Sequence, residues 1–86
     1  MFSVLVSRTL QSQFDQLDKI VQERIRNGLN SLKKDPYKPR SGADIKVLEN
    51  TNPQKYRLRI GDYRIVYCVD NKIVKVIELF HRGRGY

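Results

Sequence analysis

The chain reads as an α+β protein, with a strand at its N-terminus, a helical segment after it and a mainly antiparallel sheet formed by the rest. Three observations lead there. A short alternating run opens the sequence, a long stretch follows in which apolar residues recur every three or four positions, and the second half returns to alternation interrupted by turn residues. Segments that alternate and are joined by tight turns pair antiparallel.

The elements follow in order. In Phe2-Ser3-Val4-Leu5-Val6-Ser7, Phe2, Val4 and Val6 share one face of a strand, and Leu5 partly buries the other. From Leu10 the apolar positions Phe14, Leu17, Val21, Ile25, Leu29 and Leu32 mark an amphipathic helix that lays one stripe on a core. Ser7 or Thr9 can cap its start. No Pro or Gly interrupts the pattern before Gly28, so periodicity leaves open one long helix or two, and Asp18 is placed to cap a second. Arg24, Arg26, Lys33 and Lys34 fall on or near the outward side, a solvated face that could also extend a nucleic-acid footprint. Asp35-Pro36 ends the helix, because the residue before proline is pushed out of the α region. A loop over Pro36 to Gly42 leads to a short strand, Ile45-Lys46-Val47-Leu48, and then to the turn residues Asn50-Thr51-Asn52-Pro53.

Next comes Tyr56-Arg57-Leu58-Arg59-Ile60-Gly61-Asp62-Tyr63-Arg64-Ile65-Val66-Tyr67. Two alternating runs flank Gly61-Asp62, the signature of a hairpin with a two-residue turn, and such a turn sets the register. Ile60 then faces Tyr63, Arg59 faces Arg64, Leu58 faces Ile65, Arg57 faces Val66 and Tyr56 faces Tyr67. One side of the hairpin carries Tyr56, Leu58, Ile60, Tyr63, Ile65 and Tyr67, a core; the other carries Arg57, Arg59, Arg64, Val66 and Cys68. Like charges set directly opposite destabilise a sheet, so folding alone does not select Arg59 against Arg64 with Arg57 diagonal to them. Three convergent guanidinium groups suit phosphate. Lys46 lies beside them if its strand pairs with Tyr56 to Ile60. After a second tight turn at Asp70-Asn71-Lys72, the run Ile73 to Phe80 is apolar on both parities, as expected of a strand buried on both faces at the centre of a sheet. If it continues into the tail His81-Arg82-Gly83-Arg84-Gly85-Tyr86, then Arg82 shares a face with Val74, Val76, Glu78 and Phe80, while His81 points the other way.

Eighty-six residues make one domain, 1–86. With 17 Lys+Arg against 9 Asp+Glu, the net charge of +8 points to an anionic partner. Residues 55–86 hold 8 of those basic side chains and only 3 of the acidic ones, so the excess concentrates around the hairpin. The single cysteine, Cys68, fits a reducing cytoplasmic setting and a space-filling role. No run approaches membrane-spanning length, and no His/Cys cluster has metal-ligand spacing, so neither membrane nor metal nor cofactor is expected. There is no Ser-His-Asp set, no suitably spaced carboxylate pair and no phosphate-binding glycine loop. What remains is arginine, lysine, tyrosine and one histidine. That inventory suits RNA cleavage by internal attack, since the 2′-hydroxyl is the nucleophile and the protein need only position it and stabilise charge on the phosphate.

The segment Tyr56 to Tyr67, together with His81-Arg82-x-x-x-Tyr86 and the order strand, helices, basic meander, resembles the RelE branch of the RelE/ParE toxin superfamily over nearly the whole chain. The resemblance implies a helical hairpin packed on the sheet, hence a break near Asp18. It implies a toxin of a type II toxin–antitoxin pair, a ribosome-dependent endoribonuclease cutting mRNA in the decoding site. Carried over by position, Arg57, Arg59, Arg64, Arg82 and Tyr86 are the catalytic candidates, and Lys46 and Arg84 join the four arginines as RNA contacts. The best-studied branch has lysines where this chain has Arg57 and Arg59, and an arginine does not act as a base. The partners implied are a cognate acidic antitoxin of the RelB kind, in a hetero-oligomer with the toxin, and the ribosome with its mRNA. The same fold also serves ParE-like toxins that act on DNA gyrase, and a non-catalytic basic module would share the charge.

Overall fold

The computed structural model describes residues 1–81. Strand β1 (Ser3–Val6) leads into helices α1 (Arg8–Asp15) and α2 (Lys19–Lys34), followed by β2 (Asp44–Leu48), β3 (Lys55–Ile60), β4 (Tyr63–Asp70) and β5 (Ile73–His81). The five strands form one mixed sheet in the order β1-β5-β4-β3-β2. Every neighbouring pair is antiparallel except β1 and β5, which run parallel.

Ser7 caps α1, accepting a hydrogen bond from the Leu10 N–H at 3.2 Å. The apolar periodicity runs through two helices. The chain leaves α1 at Gln16, and Asp18 stands extended at the N-cap of α2, its carbonyl accepting from the Gln22 N–H at 3.0 Å while its side chain makes no capping bond. Gln22 also ties the joint, its Nε2 donating to the Phe14 carbonyl at 2.9 Å. Lys33 and Lys34 occupy the last turn of α2, where cations offset the helix dipole. Beyond it the Asp35 carboxylate accepts from the Tyr37 and Lys38 backbone N–H groups, and those two bonds hold its carboxyl below the ordinary value.

Both helices lie on one face of the sheet. Ile25 and Leu32 meet Ile45, Leu58, Ile65, Tyr67 and Val74 there in one buried cluster, and Leu10 of α1 is buried as well. The ring of Tyr67 is fully buried and its hydroxyl donates to the Pro36 carbonyl at 2.6 Å. Burial pushes that phenol well above its ordinary value. Gly28 sets α2 close against β3. A β-carbon there would lie 2.6 Å from Ile60 Cδ1 and 3.1 Å from Leu58 Cδ2.

The hairpin register is the one expected, from Ile60 opposite Tyr63 to Tyr56 opposite Tyr67, around Gly61 at φ +55°. Two expectations are corrected. Leu5 buries nothing on the far face of β1: it is 58% exposed, because among the described residues both helices lie on the other side of the sheet. And β5 is not a central strand buried on both faces. The centre is β4, and between Val66 and Tyr67 the β4–β5 register shifts, so that Tyr67 pairs with Val76 but Val66 with Glu78. Ile77 is the extra residue of a β-bulge. Val74 and Val76 therefore share the core face with Leu79, while Glu78 and Phe80 turn to the other side, and the single face expected for Val74, Val76, Glu78 and Phe80 does not exist. Both parities are apolar because the core face changes parity at the bulge.

Candidate nucleic-acid interface

Paired residues share a face, so the register assembles the uncovered side of the sheet in rows, with about 4.8 Å between strands. The first row runs Asp44, Arg59, Arg64, Phe80, and the next Lys46, Arg57, Val66, Glu78. Arg57, Arg59 and Arg64 thus stand together, and Lys46 sits directly across from Arg57. Arg57 is well enclosed, with its side chain 17% exposed and its Nε buried without a hydrogen-bond partner among the described residues. Its Nη2 reaches Asp44 Oδ1 at 3.4 Å. The Arg59 side chain turns towards the hairpin tip, where its Nε donates to the Gly61 carbonyl at 3.5 Å.

His81 is on the other side, its ring edge-on to Tyr63 with centroids 4.8 Å apart, so it faces away from the arginines as its parity required. Arg82, Arg84 and Tyr86 lie outside the described residues.

Two residues that the sequence did not single out bear on the site. Asp44 is the carboxylate that β2 inserts into the first row. Arg40 is a structural cation: its guanidinium donates to the carbonyls of Asp35, Lys38 and Ser31, tying the loop after α2 to the end of that helix and so placing the start of β2. The four helix cations divide. Arg24 approaches the hairpin tip, its Nη1 3.9 Å from where a β-carbon on Gly61 would be, whereas Arg26 lies over the Phe14 ring at 5.2 Å.

A face with this charge and geometry can hold a phosphate in a fork of guanidinium groups. Its fixed positive charges can offset charge that develops on the phosphate.

The family model described as ParE toxin of type II toxin-antitoxin system, parDE, matches residues 1–86. Among solved structures, the archaeal RelE-RelB complex from Pyrococcus horikoshii OT3 contains a chain 31% identical to this one, with 98% of each chain covered and a TM-score of 0.82. The RelB-RelE antitoxin-toxin complex from Methanococcus jannaschii gives 19% identity over 90% of this chain and 88% of that one at a TM-score of 0.71, a likeness of fold. No curated protein matches the chain. With the family model matching the whole length and a RelE-RelB chain aligned over 98% of it at 31% identity, the chain belongs to the ParE toxin family of type II toxin–antitoxin systems, on the RelE-like branch of the RelE/ParE superfamily.

Proposed function

We propose that the chain is a ribosome-dependent endoribonuclease that cleaves mRNA and so stops translation in the cytoplasm. The observation that carries this is Arg59 set directly against Arg64 with Arg57 and Lys46 in the adjoining row, all on the side of the sheet away from the helices. The 2′-oxygen of the transcript gives its proton to water and forms a bond to the neighbouring phosphorus, the bond from phosphorus to the 5′-oxygen breaks, and that oxygen takes a proton from water, leaving a 2′,3′-cyclic phosphate and a 5′-hydroxyl. Arg57, Arg59 and Arg64 hold the phosphate in line and offset the charge on its oxygens, a contribution worth about 10²- to 10³-fold for one well-placed donor. Lys46 anchors the strand beside them. Arg82 and Tyr86 act from the tail, and Arg84 adds a phosphate contact, as the resemblance to RelE toxins implies. An acidic antitoxin restrains this surface in the cell, a role that fits the RelB chains in the related complexes.

The test is to map breaks in mRNA on ribosomes with the wild-type chain and its Arg64→Ala and Arg82→Ala forms. Cleavage that requires ribosomes and drops about 10²-fold in each variant is the expected result. Intact mRNA with the wild type, or an Arg64→Ala form that cuts equally fast, overturns the reading. The match to a family described as ParE toxin supports a second reading, inhibition of DNA gyrase, under which DNA replication fails before translation does.

A further inference from the structure

Around the corner from the arginine rows, α2 and the β2–β3 edge enclose a cleft of about 510 Å³, lined by Arg24, Asn27 and Ser31 of the helix and by Arg40, Asp44 and Arg59 opposite. Positions 24, 27 and 31 form one stripe of a helix, about 10 Å long. The tight contact of Gly28 with Ile60 and Leu58 holds that stripe against the sheet edge. Arg59 belongs to both places: its backbone stands in the first row, and its guanidinium bends to the Gly61 carbonyl, where Arg24 arrives from the helix. One guanidinium from the sheet and one from the helix thus flank the same turn. Arg40, pinned by its three carbonyls, adds a fixed cation, so the lining has three guanidinium groups to one carboxylate.

We propose that this cleft takes the backbone phosphates of the RNA segment next to the one on the arginine rows, with Arg24 and Asn27 as its contacts and Arg59 as the post shared between the two. This rests on the ribonuclease reading above. The chemistry is that of sequence-independent strand tracking: forked guanidinium donors for phosphate, and amide and hydroxyl side chains between them as neutral donors. The cleft is continuous with the arginine rows through one side chain, so a single strand can engage both. Arg26 takes no part, being drawn over Phe14 away from the cleft.

The experiment measures binding of the full chain to 2′-O-methyl oligouridylates of three and twelve nucleotides, which cannot be cleaved by internal attack, by fluorescence anisotropy at fixed salt. Arg24→Ala is expected to weaken the 12-mer about 10-fold and to leave the 3-mer within about twofold, because only the longer strand reaches the cleft. Asn27→Glu, which places a carboxylate on the exposed helix face one turn from Arg24, should do the same, and Arg26→Ala should change neither oligonucleotide more than about twofold although it removes equal charge. Equal effects of Arg24→Ala and Arg26→Ala on the 12-mer overturn the proposal, as does equal weakening of the 3-mer and 12-mer by Arg24→Ala. Wild-type RNA binding with loss of poly-glutamate binding in Arg24→Ala overturns it too, in favour of an acidic protein segment. A wild-type chain that cleaves mRNA on ribosomes while Arg24→Ala binds the 12-mer normally removes the cleft and leaves the ribonuclease reading standing. A wild-type chain that binds neither oligonucleotide and leaves mRNA whole removes both.

Discussion

Arg57 meets a carboxylate before any phosphate arrives. Asp44 lies 3.4 Å from its guanidinium with 59% of its own side chain exposed, so the pair is wet on one side and contributes little to stability. Under the ribonuclease reading it competes with RNA. Asp44→Asn should therefore bind RNA several-fold more tightly, with a steeper fall in affinity as salt is added, and change the free energy of unfolding by less than about 1 kcal/mol. Weaker binding in anisotropy titrations would make Asp44 a support for Arg57 and not a rival of the substrate. Tyr67 is the opposite case, a fully buried hydroxyl with one essential bond. Tyr67→Phe leaves the Pro36 carbonyl unpaired and should cost about 1 to 2 kcal/mol in denaturant titrations. The phenol is pushed up in the fold and ionises at about pH 10 when unfolded, so its share of the stability is intact below about pH 10 and lost as pH rises beyond that. The melting temperature of the wild type should accordingly fall more steeply above pH 10 than that of Tyr67→Phe. Neither partner bond was legible from residue types. Asp44 sits where a turn becomes a strand, one acid among ordinary neighbours, until register sets it against Arg59; the Pro36 carbonyl belongs to a backbone 31 positions from its donor.

At the level of elements, legibility followed the range of the determining contacts. Gly61-Asp62 sets the register of β3 and β4 locally, and all six pairs from Lys55↔Cys68 to Ile60↔Tyr63 follow from it, including Arg59 against Arg64. The division of the helical segment is different. A 3.6-residue period continues through Gln16 to Asp18 because both helices bury the same side, so the apolar spacing carries no mark of the break, and Asp18 was only a hint. The β5 bulge was invisible for a similar reason: apolar residues on both parities describe a strand covered twice as well as one whose covered side switches midway. Gly28 shows why α2 keeps a poor helix former in its interior. Ala there gains about 1 kcal/mol of helix propensity but forces Ile60 and Leu58 to move, a strain of typically about 1 to 3 kcal/mol. Gly28→Ala should be destabilised by roughly 1 kcal/mol net in urea titrations, and a stabilised variant would show that the two side chains yield freely.

Among the described residues the molecule is a sheet with one side packed under helices and the other not, and its charge follows that division. The core stripe of the helices and the inward residues of β2 to β5 form a continuous apolar layer, while the arginines of β3 and β4 collect on the opposite side, away from the helices. That much could be read from alternation and charge, because a two-residue period fixes both faces of a strand at once. The cleft could not, since it depends on how far α2 stands from the sheet edge, a distance decided by Gly28 against Ile60. Ile77 has an effect larger than its size. Removing that one codon would join Val76 directly to Glu78 and restore strict alternation with every face unchanged, whereas keeping Ile77 in a straight, unbulged strand would rotate the distal half inside out: Glu78 and Phe80 would go under the helices and Leu79 would come out beside Arg64. A single extra residue thus lets a strand with apolar side chains on both parities keep Val74, Val76 and Leu79 against the helices along its whole length.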